Sequence, residues 1–164
     1  MVIRQPGYDI SAALTDPNVV FPYEILTKLK NNNLIKSVTD NFYSFVGACS
    51  QSNLIKKAAP QWVDIMISQK VDGVLLVPAW PVCHMSVGHV ARIFENKGIP
   101  TVTLLSKSFQ HLATQMNIPR VLITNNYVGR TVGLPNDING QTATILKAID
   151  LFEKADSPNT IVEI

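Results

Sequence analysis

Cys83 and His84 stand side by side where an apolar, β-branched run, Val71 to Val77, gives way to a helical pattern. A thiol in the first turn of a helix is favoured as the thiolate, its nucleophilic form, and a neighbouring imidazole would serve it as base or counter-ion. Cys49 holds the corresponding place after an earlier aromatic run, so two thiols at two strand ends could face one cleft. Both also fit the opposite reading, as small buried hydrophobes. Trp80 sits in the same turn as Cys83, between Ala79 and Pro81. An indole is neither nucleophile nor useful acid, and by type it reads as a packing residue or an interface anchor.

Other polar constellations say less. His84, His89 and His111 lack metal-ligand spacing, so no metal site is expected. The loop from Gly129 to Asp137 could hold an anion on its backbone amides and Arg130. It matches neither a P-loop nor a dinucleotide fingerprint, and a flexible connection explains it equally.

The elements that must position these residues alternate between periods. Residues 1 to 20 show no periodicity and read as a loop or arm, with Tyr8, Asp9 and Asp16 as its surface polar residues. Pro22 suits the first position of a helix carrying Ile25, Leu26 and Leu29, which Asn31 to Asn33 end. Phe42 to Val46 reads as a strand, and Ser50 or Ser52 would cap a helix to about Gln69, bent at Pro60. Val71 to Val77 reads as a buried parallel strand ending at Pro78. Val87, Val90, Ala91 and Phe94 give the next helix, closed by Lys97-Gly98. Further strands are expected at Ile99 to Leu105 and Arg120 to Thr124, separated by a short helix from Ser108 to Met116. A final helix runs from Asp137 or Asn139 to Phe152.

Strands alternating with helices at these lengths demand right-handed parallel crossovers. The expected fold is therefore one small, doubly wound α/β domain over residues 1–164, with a mostly parallel sheet of four to five strands and helices on both faces. In such sheets, the crevice outside the carboxyl ends of the strands is the usual ligand site. The first strand usual in such a domain is missing, which is expected if the natural chain begins further upstream.

Composition bounds the function. The chain has 164 residues, 46% hydrophobic and 16% charged, with a net charge of +2. That apolar surplus fits a sheet covered on both faces or a surface buried in an oligomer. Its scattered cations leave no electrostatic footprint for nucleic acid. Two cysteines fit a reducing compartment rather than a disulfide scaffold. The longest apolar run is broken by prolines and far short of a membrane span, and Met1 to Arg4 has no signal-peptide architecture. A soluble cytoplasmic protein is expected.

Trp80-Pro81-Val82-Cys83-His84-Met85-Ser86 resembles the active-site segment of the selenoprotein B family of glycine, sarcosine, betaine and D-proline reductases. The segments Asp16 to Pro22, Tyr43 to Ser50, Gly98 to Val102 and Gly133 to Pro135 are similar to that family too, and together they span about Tyr8 to Phe152. The Pro-Val-Cys version resembles the D-proline reductase branch; the glycine branch has a further cysteine at the position of Ser86. In the family, selenocysteine ends the strand and a cysteine follows after two further residues.

The resemblance implies that Trp80 marks the selenocysteine position and Cys83 the resolving thiol, with Cys49, His84 and Ser86 as supporting residues. Selenocysteine is encoded by UGA, which some codes translate as tryptophan, so Trp80 is expected to record that codon. The family also carries an upstream glycine-rich segment with a first strand. The implied activity is reductive cleavage of a C–N bond in a small amino acid or amine. No cofactor is expected in this chain; a partner subunit would carry a pyruvoyl group, and a thiol/disulfide donor would supply electrons. Two alternatives stand beside this reading: a catalytically inactive docking subunit of such a complex, and a cofactor-independent amino-acid racemase using Cys49 and Cys83.

Overall fold

Four short runs rich in β-branched and leucine side chains pair into one parallel sheet: β1 (Val74–Leu76), β2 (Thr101–Ser106), β3 (Arg120–Thr124) and β4 (Thr160–Glu163). They lie in sequence order, with Leu75 opposite Val102, Leu104 opposite Leu122 and Leu122 opposite Val162. The computed structural model describes residues 9–155 and 157–164.

Strand side chains alternate between two cores, as a pleated sheet requires. On one face Leu76, Leu105, Val121 and Ile123 meet Val63, Val87, Val90, Phe94 and Ala113. Those partners come from α4 (Ala59–Ser68), α5 (Pro81–Glu95) and α6 (His111–Gln115). On the other face Val102, Leu104 and Leu122 meet Ile25, Leu29, Ile145 and Ala148, from α2 (Tyr23–Asn31) and α7 (Ile138–Lys154). The small α/β fold with helices on both faces is therefore as expected.

Its winding is not. The crossovers β1–α5–β2 and β2–α6–β3 pass over one face, whereas β3–α7–β4 passes over the other. Strand order nevertheless advances in the same direction throughout. The third crossover must then have the opposite hand to the first two, a departure from the usual uniform right-handedness. Long flanking segments make this tolerable. Residues 125–137 carry the chain across the ends of the strands before α7 begins.

The helix ends follow the sequence closely. Pro81 opens α5 without sacrificing a hydrogen bond, and the Asp137 side chain caps α7 by accepting the N–H of Gly140 at 3.0 Å. Asn33, Lys70, Gly98 and Asn117, just past α2, α4, α5 and α6, all have positive φ, the left-handed turn that stops a helix. The helix expected from Ser50 to Gln69 is present as α3 (Gln51–Asn53), a π-helical turn (Leu54–Ala58) and α4. The wide turn lies just ahead of Pro60, where a missing N–H and a bulky ring disturb regular α-helix geometry.

Three expectations need correction. Phe42 to Val46 is not a strand. Its aromatic rings pack instead, Phe42 edge-on to Phe21 and Tyr23, and Phe45 against Trp62. Packing of large rings has overridden β-propensity, as it can where no ladder partner is in place. β1 is consequently an edge strand with Val74 and Leu75 half-buried, not a strand buried on both sides. The fourth strand is Thr160–Glu163, a short run after the Ser157-Pro158-Asn159 turn. Residues 1–8 of the expected arm, including Tyr8, lie outside the described residues. Beyond them the chain forms α1 (Ser11–Thr15) and a 3-10 turn, Pro17–Val19.

That 3-10 turn is fastened by Asp16, which is buried rather than a surface residue. One carboxylate oxygen accepts from the backbone and side-chain nitrogens of Asn18, at 3.0 and 3.1 Å. The other accepts from Asn136 N at 2.9 Å and Gln141 Nε2 at 2.6 Å. Burial pushes the Asp16 pKa up, but these donors outweigh it and hold it below the usual carboxylate value. Asp16 thereby joins the N-terminal turn to the start of α7. Asp16→Ala should lower unfolding stability by about 2–4 kcal/mol, since it strands charge-assisted partners inside the fold. Urea unfolding monitored by tryptophan fluorescence checks this.

Candidate active-site turn

The site lies where β1 ends. Val77, Pro78, Ala79 and Trp80 form the turn, and α5 starts at Pro81. Trp80 is the N-cap residue, with extended backbone and no side-chain hydrogen bond to the helix. An indole has no acceptor, so it cannot satisfy the free N–H groups of the first turn as Ser, Asp or a thiolate would. The Trp80 ring is half-buried in the turn.

Cys83 is the third residue of α5, and its N–H donates to Trp80 O at 2.9 Å. It is partly accessible. The residues at positions 80 and 83 occupy the N-cap and N3 sites of one helix, the pair in which a capping box bonds each side chain to the other residue's backbone N–H. The sequence alone places them one turn apart, and the helix start at Pro81 gives them this relationship.

His84 does not serve Cys83 as a base. It is fully buried, and both ring nitrogens are engaged elsewhere. Nδ1 lies 2.9 Å from Trp80 O, and Nε2 accepts the N–H of Ser106 over a longer 3.4 Å. A carbonyl can only accept and an amide N–H can only donate, so the ring is neutral with its proton on Nδ1. Phe109 stacks on it with centroids 4.3 Å apart. Burial pushes the His84 pKa down to about 4, against the opposing effect of the carbonyls of Trp80 and Pro81. The imidazole is thus a structural link from the turn after β1 to the end of β2.

A second anchor comes from residues 125–137. Thr131 is buried and donates from Oγ1 to Pro78 O at 2.7 Å, while Thr131 O accepts from Thr124 Oγ1 at 2.9 Å. Ser106 Oγ donates to Asn126 O at 2.6 Å. The loop that could have held an anion, or served as a flexible connection, instead binds the ends of β1, β2 and β3 together. Arg130, next to Thr131, lies over the Tyr127 ring at 4.9 Å.

Cys49 is brought to the same neighbourhood but not into one cavity with Cys83. It is exposed and lines a shallow apolar groove of 280 Å³ with Phe45, Val46, Leu54 and Trp62. Between the two thiols lies Gly47, whose backbone is pressed against Cys83: a Cβ built there would stand 2.8 Å from Cys83 Sγ. Ser86 is fully buried, and its Oγ donates to Gly47 O at 2.7 Å. Gln51, which no sequence pattern singles out, bonds to both Gly47 O and Ser86 Oγ. Among the described residues, no group of acids, thiols and imidazoles has metal-binding geometry, and no helix is long and apolar enough to cross a membrane.

The His84 link has a pH signature. Its folded pKa of about 4 lies below the unfolded value of 6.5, so between these values the unfolded chain binds a proton that the folded chain excludes. Stability is full above pH 6.5 and falls as pH drops toward 4, by roughly 3 kcal/mol in all. Urea unfolding at a series of pH values should show this loss, and His84→Gln should flatten it.

Comparison with known proteins finds three relatives and one family model, whose match ends just before Trp80. The family model for glycine/sarcosine/betaine reductase selenoprotein B (GRDB) matches residues 3–79. The chain is 26% identical over 165 residues to the D-proline reductase subunit gamma of Acetoanaerobium sticklandii, covering 100% of this chain and 67% of that protein. It is 25% identical over 132 residues to the sarcosine reductase complex component B subunit beta of Peptoclostridium acidaminophilum. It is 29% identical over 98 residues to the betaine reductase complex component B subunit beta of the same organism. Those two matches cover 80% and 60% of this chain but only 28% and 22% of the longer relatives. No solved structure matches. On these matches, the chain is similar to the glycine/sarcosine/betaine reductase selenoprotein B family over residues 3–79, and to D-proline, sarcosine and betaine reductase subunits over 60% to 100% of its length.

Proposed function

We propose that this chain is the selenoprotein-type subunit of an amino-acid reductase, with position 80 as the site of the attacking chalcogen and Cys83 as the resolving thiol. The observation that carries the reading is the N-cap and N3 placement of residues 80 and 83. A selenolate or thiolate at the N-cap would accept the helix N–H groups that Trp80 leaves without a side-chain partner, and the helix dipole favours the anion there. Cys83 lies one turn away at the same helix end, with its N–H on Trp80 O, close enough in the chain for its thiol to resolve an adduct formed at position 80.

The chemistry follows from that pair. The anionic chalcogen attacks the carbon that bears the substrate nitrogen, forming a carbon–chalcogen bond as the C–N bond breaks. The Cys83 thiolate then attacks the chalcogen, the carbon leaves and takes up a proton, and a chalcogen–sulfur bond remains. An external dithiol donor returns two electrons and restores both groups. When bound, a pyruvoyl group on a partner subunit supplies the electron-withdrawing carbonyl that activates the substrate amine. The substrate class is a small amino acid or amine of the proline, sarcosine or betaine kind, and the compartment is a reducing cytoplasm.

With tryptophan at position 80 the chain lacks its first nucleophile. The reading therefore requires that codon 80 be UGA; a UGG codon would dismiss it. Selenocysteine or cysteine placed at position 80 should give thiol-dependent cleavage only with the pyruvoyl subunit. In that restored protein, Cys83→Ser should lower multiple-turnover kcat by about a hundredfold or more. Undiminished turnover in the restored Cys83→Ser protein would sink the resolving role.

A further inference from the structure

We propose that Gln51 and Ser86 are positioning residues for the Cys83 thiol, acting through the backbone of Gly47. Residues 41–50 form no helix or strand, and Gly47 is the one buried residue among them. Phe42 and Phe45 hold the earlier part of this irregular segment by ring packing, and Gly47 seats its later part against Cys83.

The pin has three parts. Gly47 O accepts the Ser86 hydroxyl at 2.7 Å, the Cys49 N–H at 2.9 Å and Gln51 Nε2 at 3.2 Å. The Gln51 amide also reaches Cys49 O and Ser86 Oγ, both at 3.1 Å, so its two hydrogens serve three acceptors. Finally, only glycine fits the contact. A Cβ at position 47 would meet Cys83 Sγ at 2.8 Å and Cys83 Cα at 2.9 Å, and the second is helix backbone that cannot swing aside.

Ser86 lies three residues beyond Cys83 on α5, so the hydroxyl and the thiol are neighbours on one face of the helix. Holding Gly47 with the hydroxyl therefore seats its backbone on the thiol. One side of Cys83 is closed, and its rotamer is fixed by packing. A resolving thiol must strike a neighbouring atom along one line, so fixing its rotamer favours reaction within the turn over reaction with outside reagents.

The positioning role rests on Cys83 being the working thiol of the proposed reaction. Its test does not, because alkylation of the isolated chain needs neither partner, substrate nor a chalcogen at position 80. In a Cys49→Ser background Cys83 is the sole thiol, and its rate with iodoacetamide reads how firmly Gly47 is seated. Ser86→Ala and Gln51→Ala should each raise that rate about tenfold, the effect of one lost hydrogen bond on a pre-equilibrium. Gly47→Ala should raise it at least as much. Ser86→Thr, which keeps the hydroxyl, should stay near the parent rate. The increase should be the same factor at every pH from about 6 to 9, because the substitutions change access to the sulfur and add or remove no charge.

An unchanged rate in Gln51→Ala and Ser86→Ala, with urea unfolding like the parent, would overturn the proposal. A rate increase matched by an equal loss of global stability would also overturn it, since Cys83 would then react from the unfolded chain. Gln51 is half-buried at the surface, so its variant keeps the test decisive should Gly47→Ala fail to fold.

Discussion

The turn after β1 depends on a neutral imidazole beneath it. His84 donates to the carbonyl of Trp80 and accepts from the amide of Ser106, tying the N-cap of α5 to the end of β2. A charged ring could not accept the Ser106 amide and would be expensive to bury, so the link holds only while the ring is neutral. Thr131 completes the frame by donating to Pro78 O. Thr131 directly, and Ser106 through His84, thus tie two distant segments of the chain to the carbonyls of Pro78 and Trp80.

The frame holds the turn independently of the side chain at position 80. Backbone bonds, rather than the side chain of the N-cap, hold the helix start in place. Cys83 N–H, His84 Nδ1–H and the frame under Pro78 all bind main-chain carbonyl groups. The indole makes no side-chain hydrogen bond to the helix it caps. Such separation of scaffold from reacting group is what a reactive turn needs, because the reacting atom must change partners during turnover.

The winding of the sheet serves the same place. With α7 on the face opposite α5 and α6, residues 125–137 must pass over the ends of the strands to reach it. That passage brings Thr131 to Pro78, and Asn126 to Ser106. Asp16 then holds the far end of the passage by binding Asn136 and Gln141. An unusual crossover and a buried carboxylate together keep a long loop in one conformation.

Much of this was legible in the residues themselves. The β-branched runs at Val74, Thr101 and Arg120, the apolar spacing of α5 and α7, and the stops at Asn33, Gly98 and Asn117 all follow from local sterics and periodicity. The turn at Trp80 to Cys83 was legible too, because proline and a thiol at a strand end are local signals. Partner choice was not legible. Phe42 to Val46 has strand propensity, yet its rings found Phe21, Tyr23 and Trp62, residues distant in sequence. His84 looked like a base for Cys83 because the two are adjacent, but a helix turns neighbouring side chains apart and buried this one against β2. Gln51 carried no signal at all; its importance arises only where the chain brings Gly47 onto Cys83. The sequence by itself determined most of the helices, three of the four strands and the turn at Trp80 to Cys83, since those depend on interactions within a few residues. Only the tertiary structure decided the partners of Cys83 and His84 and the hand of the last crossover, because those depend on contacts between segments that local sterics do not couple.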